Sequence, residues 1–128
     1  MRGEELIMGK RENVLSEKSL KFAVRIVKFY KFLSEEKKEF VLSKQVLRCG
    51  TSIGANVRES RNAQSDADFI NKLNIALKEA DETQYWLELL QLSEIVSKES
   101  FESLNKDVDE LISMLVSAIK TLKNKSHQ

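Results

Sequence analysis

Residues 45–57 read QVLRCGTSIGANV, thirteen positions that carry a single charge, Arg48, in a chain that is 32% Asp, Glu, Lys and Arg. A stretch so poor in charge is dry on more than one side, because charged side chains otherwise occupy the wetted faces of a soluble helix. Residues 68–90 follow as a long amphipathic run, DFINKLNIALKEADETQYWLELL. Within it Phe69, Leu73, Ala76, Ala80, Thr83, Leu87 and Leu90 step alternately by four and three, the seam of a bundle helix. In the first run Leu42, Val46, Cys49, Ile53 and Val57 line one face of a helix expected over about 37–60.

The same period extends to both sides. Phe22, Ile26, Phe29 and Leu33 form an apolar line over about 16–33, widened by Ala23, Val27 and Tyr30, and SEEKKE at 34–39 makes a short polar link. Ser65 with Asp68 three residues on forms a capping box that starts the third helix. Ser97 and Ser100 offer the next caps. Phe101, Leu104, Val108, Leu111, Leu115, Ala118 and Leu122 repeat the bundle spacing, and Lys120, Lys123 and Lys125 suit a helix C-terminus. With no proline and only four glycines, long helices meet few breakers. Short links between four such helices predict an all-α, up-down-up-down antiparallel four-helix bundle. It fills one domain over 13–125, and residues 1–12, which lack a periodic stripe, are expected to be a flexible extension.

Net charge is only +1, but residues 1–60 hold 13 basic against 8 acidic side chains and residues 61–128 hold 8 against 12. Any surface that seeks anions therefore belongs to the first half. The single cysteine, Cys49, excludes an internal disulfide and suits a reducing, cytoplasmic setting. No signal segment or uncharged span of membrane length is present, so no membrane role is expected.

One stripe per helix closes a bundle, and two helices carry more. Leu47, Gly50 and Gly54 fall on a flank of helix two beside its core line, and glycines four apart let another backbone approach closely. On helix three Ile75, Glu82, Trp86 and Leu89 lie roughly opposite the core stripe. Scattered surface hydrophobes are one account of these positions; self-association, with Leu47, Gly50, Gly54, Ile75, Trp86 and Leu89 at the interface, is the one favoured. Asn56 must find a hydrogen bond if buried. Glu59 and Glu82 are either solvated or paired, with Arg48 or Arg58 of a neighbouring element as partners.

Lys18, Lys21, Arg25 and Lys28 occupy a narrow band of helix one and form a ladder of cations. Such a face is either the wet side of a bundle or a track for a phosphate backbone. Catalytic constellations are missing. The only histidine, His127, stands at the end of the chain, no Glu-x-x-His pair marks a di-iron bundle, and RCGTSIGAN lacks the Lys-Ser or Lys-Thr ending of a phosphate loop. Glu79 and Glu82 read as salt-bridge partners and Cys49 as a packed hydrophobe. No enzyme, cofactor, metal or small-molecule substrate is expected.

The run RCGTSIGANVRESRNAQSDADFINKLNIALKEADETQYWLELL resembles the signature of the 23S rRNA intervening-sequence proteins, a four-helix-bundle family. Its specific part is Arg48, Ser52, Ile53, Asn56 and Glu59, followed by Asp68-Phe69, Ile75-Ala76 and Glu82. The resemblance implies bacterial origin, buried polar roles for Arg48, Ser52, Asn56, Glu59 and Glu82, and an RNA-associated or nucleoprotein accessory function. The family is similar in fold to the accessory variability determinant of diversity-generating retroelements, a pentameric ring that engages a reverse transcriptase and nucleic acid, so a homopentamer is implied here. Where many members have Gly-Ser after the Ile-Ala pair, this chain has Leu77, Lys78 and Glu79. The competing expectation is a protein-binding adaptor without a nucleic-acid role.

Overall fold

A computed structural model describes residues 3–126 of the chain, with side chains over 13–125. Four helices run in order, α1 (Gly3–Glu35), α2 (Leu42–Ser60), α3 (Asp66–Leu92) and α4 (Lys98–Ser126), and there is no strand among the described residues. α1 packs on α2 and α4, and α3 packs on the same two. Because each short connection joins helices that are neighbours, successive helices are antiparallel and the chain closes a four-cornered bundle.

The apolar lines read from the spacing meet at its centre. Phe22, Ile26 and Leu33 of α1, Val46 and Ile53 of α2, Leu73 and Leu87 of α3, and Leu104, Val108, Leu111 and Leu115 of α4 are all buried in one cluster. Val27, expected to widen the core line of α1, is instead exposed. Helix α3 begins where the capping box placed it: Ser65 Oγ accepts from the Asp68 N–H at 3.1 Å, and the Gln64 N–H donates to Asp68 Oδ2 at 3.2 Å. At the start of α4 the Ser100 N–H donates to Ser97 Oγ at 3.1 Å.

Two boundaries differ from expectation. Helical backbone reaches back to Gly3 rather than starting near residue 16, so most of the stretch expected as a flexible extension is helical; residues 1 and 2 lie outside the described residues. Helix α2 starts at Leu42 instead of about residue 37, because the chain leaves α1 through Lys38 in the left-handed region (φ 55°) and Glu39 then caps the new helix. The Glu39 carboxylate accepts from the N–H groups of Val41, Leu42 and Ser43 at 3.2, 2.9 and 2.7 Å. These are the orphan donors of a first turn.

The glycines explain how α1 and α2 come together. A Cβ on Gly50 would stand 2.8 and 2.9 Å from Cγ1 and Cγ2 of Ile26, and one on Gly54 would stand 3.2 Å from the backbone oxygen of Ser19. Ser19 is buried, and its hydroxyl donates to the Ser16 carbonyl at 3.1 Å, so no side-chain polar group is stranded at the contact.

Two predictions follow from this geometry. Gly50→Ala gains about 1 kcal/mol of helix propensity but overpacks a buried Ile, a cost of about 1–3 kcal/mol, so a net loss is expected in urea unfolding. Ile26→Ala should then cost less in the Gly50→Ala background than in the wild type, where it opens a cavity worth about 2–5 kcal/mol; equal costs in both backgrounds would show that the two residues do not meet. For Glu39, burial raises the carboxyl pKa, but hydrogen bonds from Leu42, Ser43 and Val41 outweigh it and hold the group below its ordinary value of 4.5. A depressed carboxyl contributes stability above its unfolded pKa, and that contribution disappears as pH falls through the lower, folded value. Glu39→Gln should cost about 1 kcal/mol at pH 7 and remove part of the acid-side decline in thermal melts below pH 4.5.

Candidate assembly and nucleic-acid surfaces

Along the seam between α2 and α3 the polar residues of the signature are brought together in cross-helix pairs. The Arg48 guanidinium donates to Glu79 Oε2 at 3.2 Å and to the Glu82 carboxylate, and the Trp86 indole N–H reaches the same Glu82 oxygen at 3.3 Å. Nearer the other end, Lys72 Nζ donates to Glu59 Oε2 at 3.2 Å. Glu79 is the least exposed of the charged groups involved, at 18%. Half-exposed pairs of this kind contribute about 0.2–1 kcal/mol each, so they fix the register of two helices more than they drive packing. Ser52 and Asn56 bond within their own helix, Ser52 Oγ to the Arg48 carbonyl at 2.6 Å and Asn56 Nδ2 to the Ser52 carbonyl at 2.8 Å. The requirement for an Asn56 partner is met, although that side chain is half-buried rather than enclosed.

The signature thus forms one physical unit, a charged clamp laid over an apolar seam, and a family model described as 23S rRNA-intervening sequence protein matches residues 11–117. The chain belongs to this family. A solved structure of a protein of unknown function from the S23 ribosomal protein family of Bacteroides thetaiotaomicron is similar over 86% of this chain and 98% of its own, with 64% identity and a TM-score of 0.85. No curated protein matches the chain. After the Ile-Ala pair of α3, Leu77 packs on the core, Lys78 is exposed and Glu79 joins the clamp.

The positions expected to meet a second copy are largely occupied within the chain. Gly50 and Gly54 face α1, so the backbone they admit belongs to the same molecule. At Gly50 the uncharged flank of α2 is thus packed against α1, while Gly54 also borders a groove that stays accessible. Trp86 is half-buried against the core, its N–H bonded to Glu82 and its ring met edge-on by Tyr85 at 5.1 Å, rather than projecting outward. Leu47 also packs on the core, and Ile75 and Leu89 are half-buried.

A different face is left open. On α1, Leu20, Val24 and Val27 are 51%, 49% and 39% exposed. Their spacing of four and three puts them on one line. Beside that line Leu20 and Ala23 share a groove with Thr51, Gly54 and Ala55 of α2. The sequence carries this signal as a second apolar line on α1, Leu20, Val24 and Val27, whose last member adjoins the core stripe.

The cationic ladder is also used internally. Lys18 pairs with Glu110, Lys21 with Glu17 at 3.3 Å, and Arg25 with Asp107 at 2.6 Å and with the Ser103 hydroxyl at 2.8 Å. Lys28 is exposed. The expected free rim is therefore mostly the seam between α1 and α4, with acids from α4 facing it. By contrast Lys31, Lys37, Lys38 and Lys44 make no ion pair among the described residues; Phe32 and Phe40 of the same stretch are exposed, and Lys37 Nζ lies 5.8 Å from the centre of the Phe32 ring.

Burial pushes the Cys49 thiol up, away from the nucleophilic thiolate. Among the described residues no group of three His, Cys, Asp or Glu side chains could hold a metal ion, and His127 lies outside them. Among the described residues no helix is long and apolar enough to cross a membrane.

Proposed function

We propose that this protein is a non-enzymatic, homo-oligomeric four-helix bundle that acts as an RNA-associated or nucleoprotein accessory in the cytoplasm. The observation that carries self-association is the open line Leu20, Val24 and Val27 with its adjoining groove on α2. Grouped exposed aliphatics beside a small-residue groove are the composition of a buried interface centre. A ring of five subunits, and kinship with the accessory variability determinant of retroelements, rest on the resemblance of the signature run.

The nucleic-acid part of the reading is supported by the family's description and by the lysines around the α1–α2 connection. Lys37, Lys38 and Lys44 make no ion pair among the described residues, and Glu39 spends its carboxylate on the first turn of α2, which leaves Glu35 and Glu36 as the acids of the same stretch. Phe32 and Phe40 add flat exposed surface on which an unpaired base can stack. The rival reading, a protein-binding adaptor, is favoured by one fact: three of the four cations of the ladder on α1 are already neutralised.

Sedimentation velocity at tens of micromolar should give a species about five times the 14.7 kDa monomer, and Leu20→Glu with Val24→Glu should return it to the monomer with its helical content unchanged. A wild type that sediments as a stable monomer overturns the reading. Filter binding with a structured rRNA fragment should show affinity that falls with salt. Lys37→Glu, Lys38→Glu and Lys44→Glu together should weaken it at least tenfold, whereas Lys18→Glu should leave it nearly unchanged. Absence of binding at low salt decides for the adaptor.

A further inference from the structure

All four helices contribute to a cavity of about 270 Å³ at the end of the bundle where α2 gives way to α3. Its apolar wall is built from Leu15, Val57, Phe69, Leu73, Met114 and Ala118, of which Leu15, Val57 and Leu73 are at most 3% exposed. Natural interiors leave few voids larger than a water molecule. This one is a pocket open to solvent where Ser113 and Ser117 are exposed, and it persists for a local reason. On the side of α4 that borders it stand Ser113, Met114, Ser117 and Ala118, whereas the rest of that helix fills the core with Leu104, Leu111, Leu115 and Leu122. Small side chains line the wall without closing it, and Met114 is the residue type that adapts to an irregular guest.

Among the described residues that line it, the one charged group stands at the end of α2, and Ser113 and Ser117 add hydroxyls on the α4 side. Ser60 is buried, and its hydroxyl is satisfied by the Val57 carbonyl at 2.5 Å, so it leaves the floor dry. Arg61 lines the cavity, is exposed and makes no ion pair among the described residues. Among the described residues no carboxylate lines the cavity to neutralise it. An apolar chamber with one unpaired guanidinium is the inverse image of an amphipathic monoanion.

We propose that this cavity binds a medium-chain aliphatic carboxylate, its tail against Leu15, Val57, Leu73 and Ala118 and its head group on the Arg61 guanidinium. The volume sets the tail: about 270 Å³ lies at the small end of ligand pockets and suits an aliphatic chain of medium length. The single cation sets the head, since a planar fork donates two parallel hydrogen bonds to a carboxylate and balances one charge. This site is separate from the surfaces offered for self-association and RNA, and it stands or falls without them.

Isothermal titration of the full chain with sodium decanoate, kept below its micellar range, tests the assignment, with decanol as the neutral control. Saturable binding is expected, with decanol at least fivefold weaker. Arg61→Glu, an exposed change that leaves the core intact, should weaken decanoate at least tenfold and abolish the preference over decanol. Ser117→Phe should fill the chamber and remove binding of both, with circular dichroism confirming the native fold. No saturable binding up to millimolar decanoate overturns the proposal. So does binding indifferent to either substitution, which would place the ligand elsewhere or leave the head group unrecognised.

Discussion

The close approach of α1 to α2 is the constraint on which the remaining arrangement depends. Gly50 admits the branched side chain of Ile26, and Gly54 admits the backbone at Ser19, so the two helices sit nearer than side chains on both would allow. With α1 held by that contact its orientation is no longer free. The face bearing Lys18 and Arg25 turns toward α4, where Asp107 and Glu110 meet it, and the line Leu20, Val24 and Val27 turns outward. One sterically defined seam therefore decides which surface is neutralised and which is offered.

The contrast in charge between the two halves of the chain acquires a structural meaning in this light. Basic residues of the first half and acidic residues of the second are not separate poles of the molecule. Arg48 reaches Glu79 and Glu82, Lys18 reaches Glu110, and Arg25 reaches Asp107. Much of the imbalance is consumed in holding helices in register. What remains unpaired is concentrated near the α1–α2 connection, among Lys31, Lys37, Lys38 and Lys44, beside Phe32 and Phe40.

Periodicity carried most of the fold. The seams of α3 and α4 and the capping box at Ser65 were readable because each depends on residues close in sequence. The start of α2 was not, since its cap is a glutamate three positions ahead of the first helical residue rather than a short polar side chain adjoining it. At the candidate surfaces the limit was of another kind. A glycine pair announces that some backbone comes close, and a lysine ladder announces that some anion is welcome, but neither says whether the partner is in the same chain. Ile26 and Gly50, or Arg25 and Asp107, are far apart in sequence, and only the folded arrangement names them to each other.

Cys49 has a consequence of its own. The chain's only sulfhydryl is sealed in the core between α2 and its neighbours, with its proton held firmly and Val46 as its hydrogen-bond partner. Oxidants and other thiols can reach it only when the bundle opens. While the domain is folded, Cys49 cannot rivet one copy to another through a disulfide, so contacts between folded copies are left to noncovalent forces.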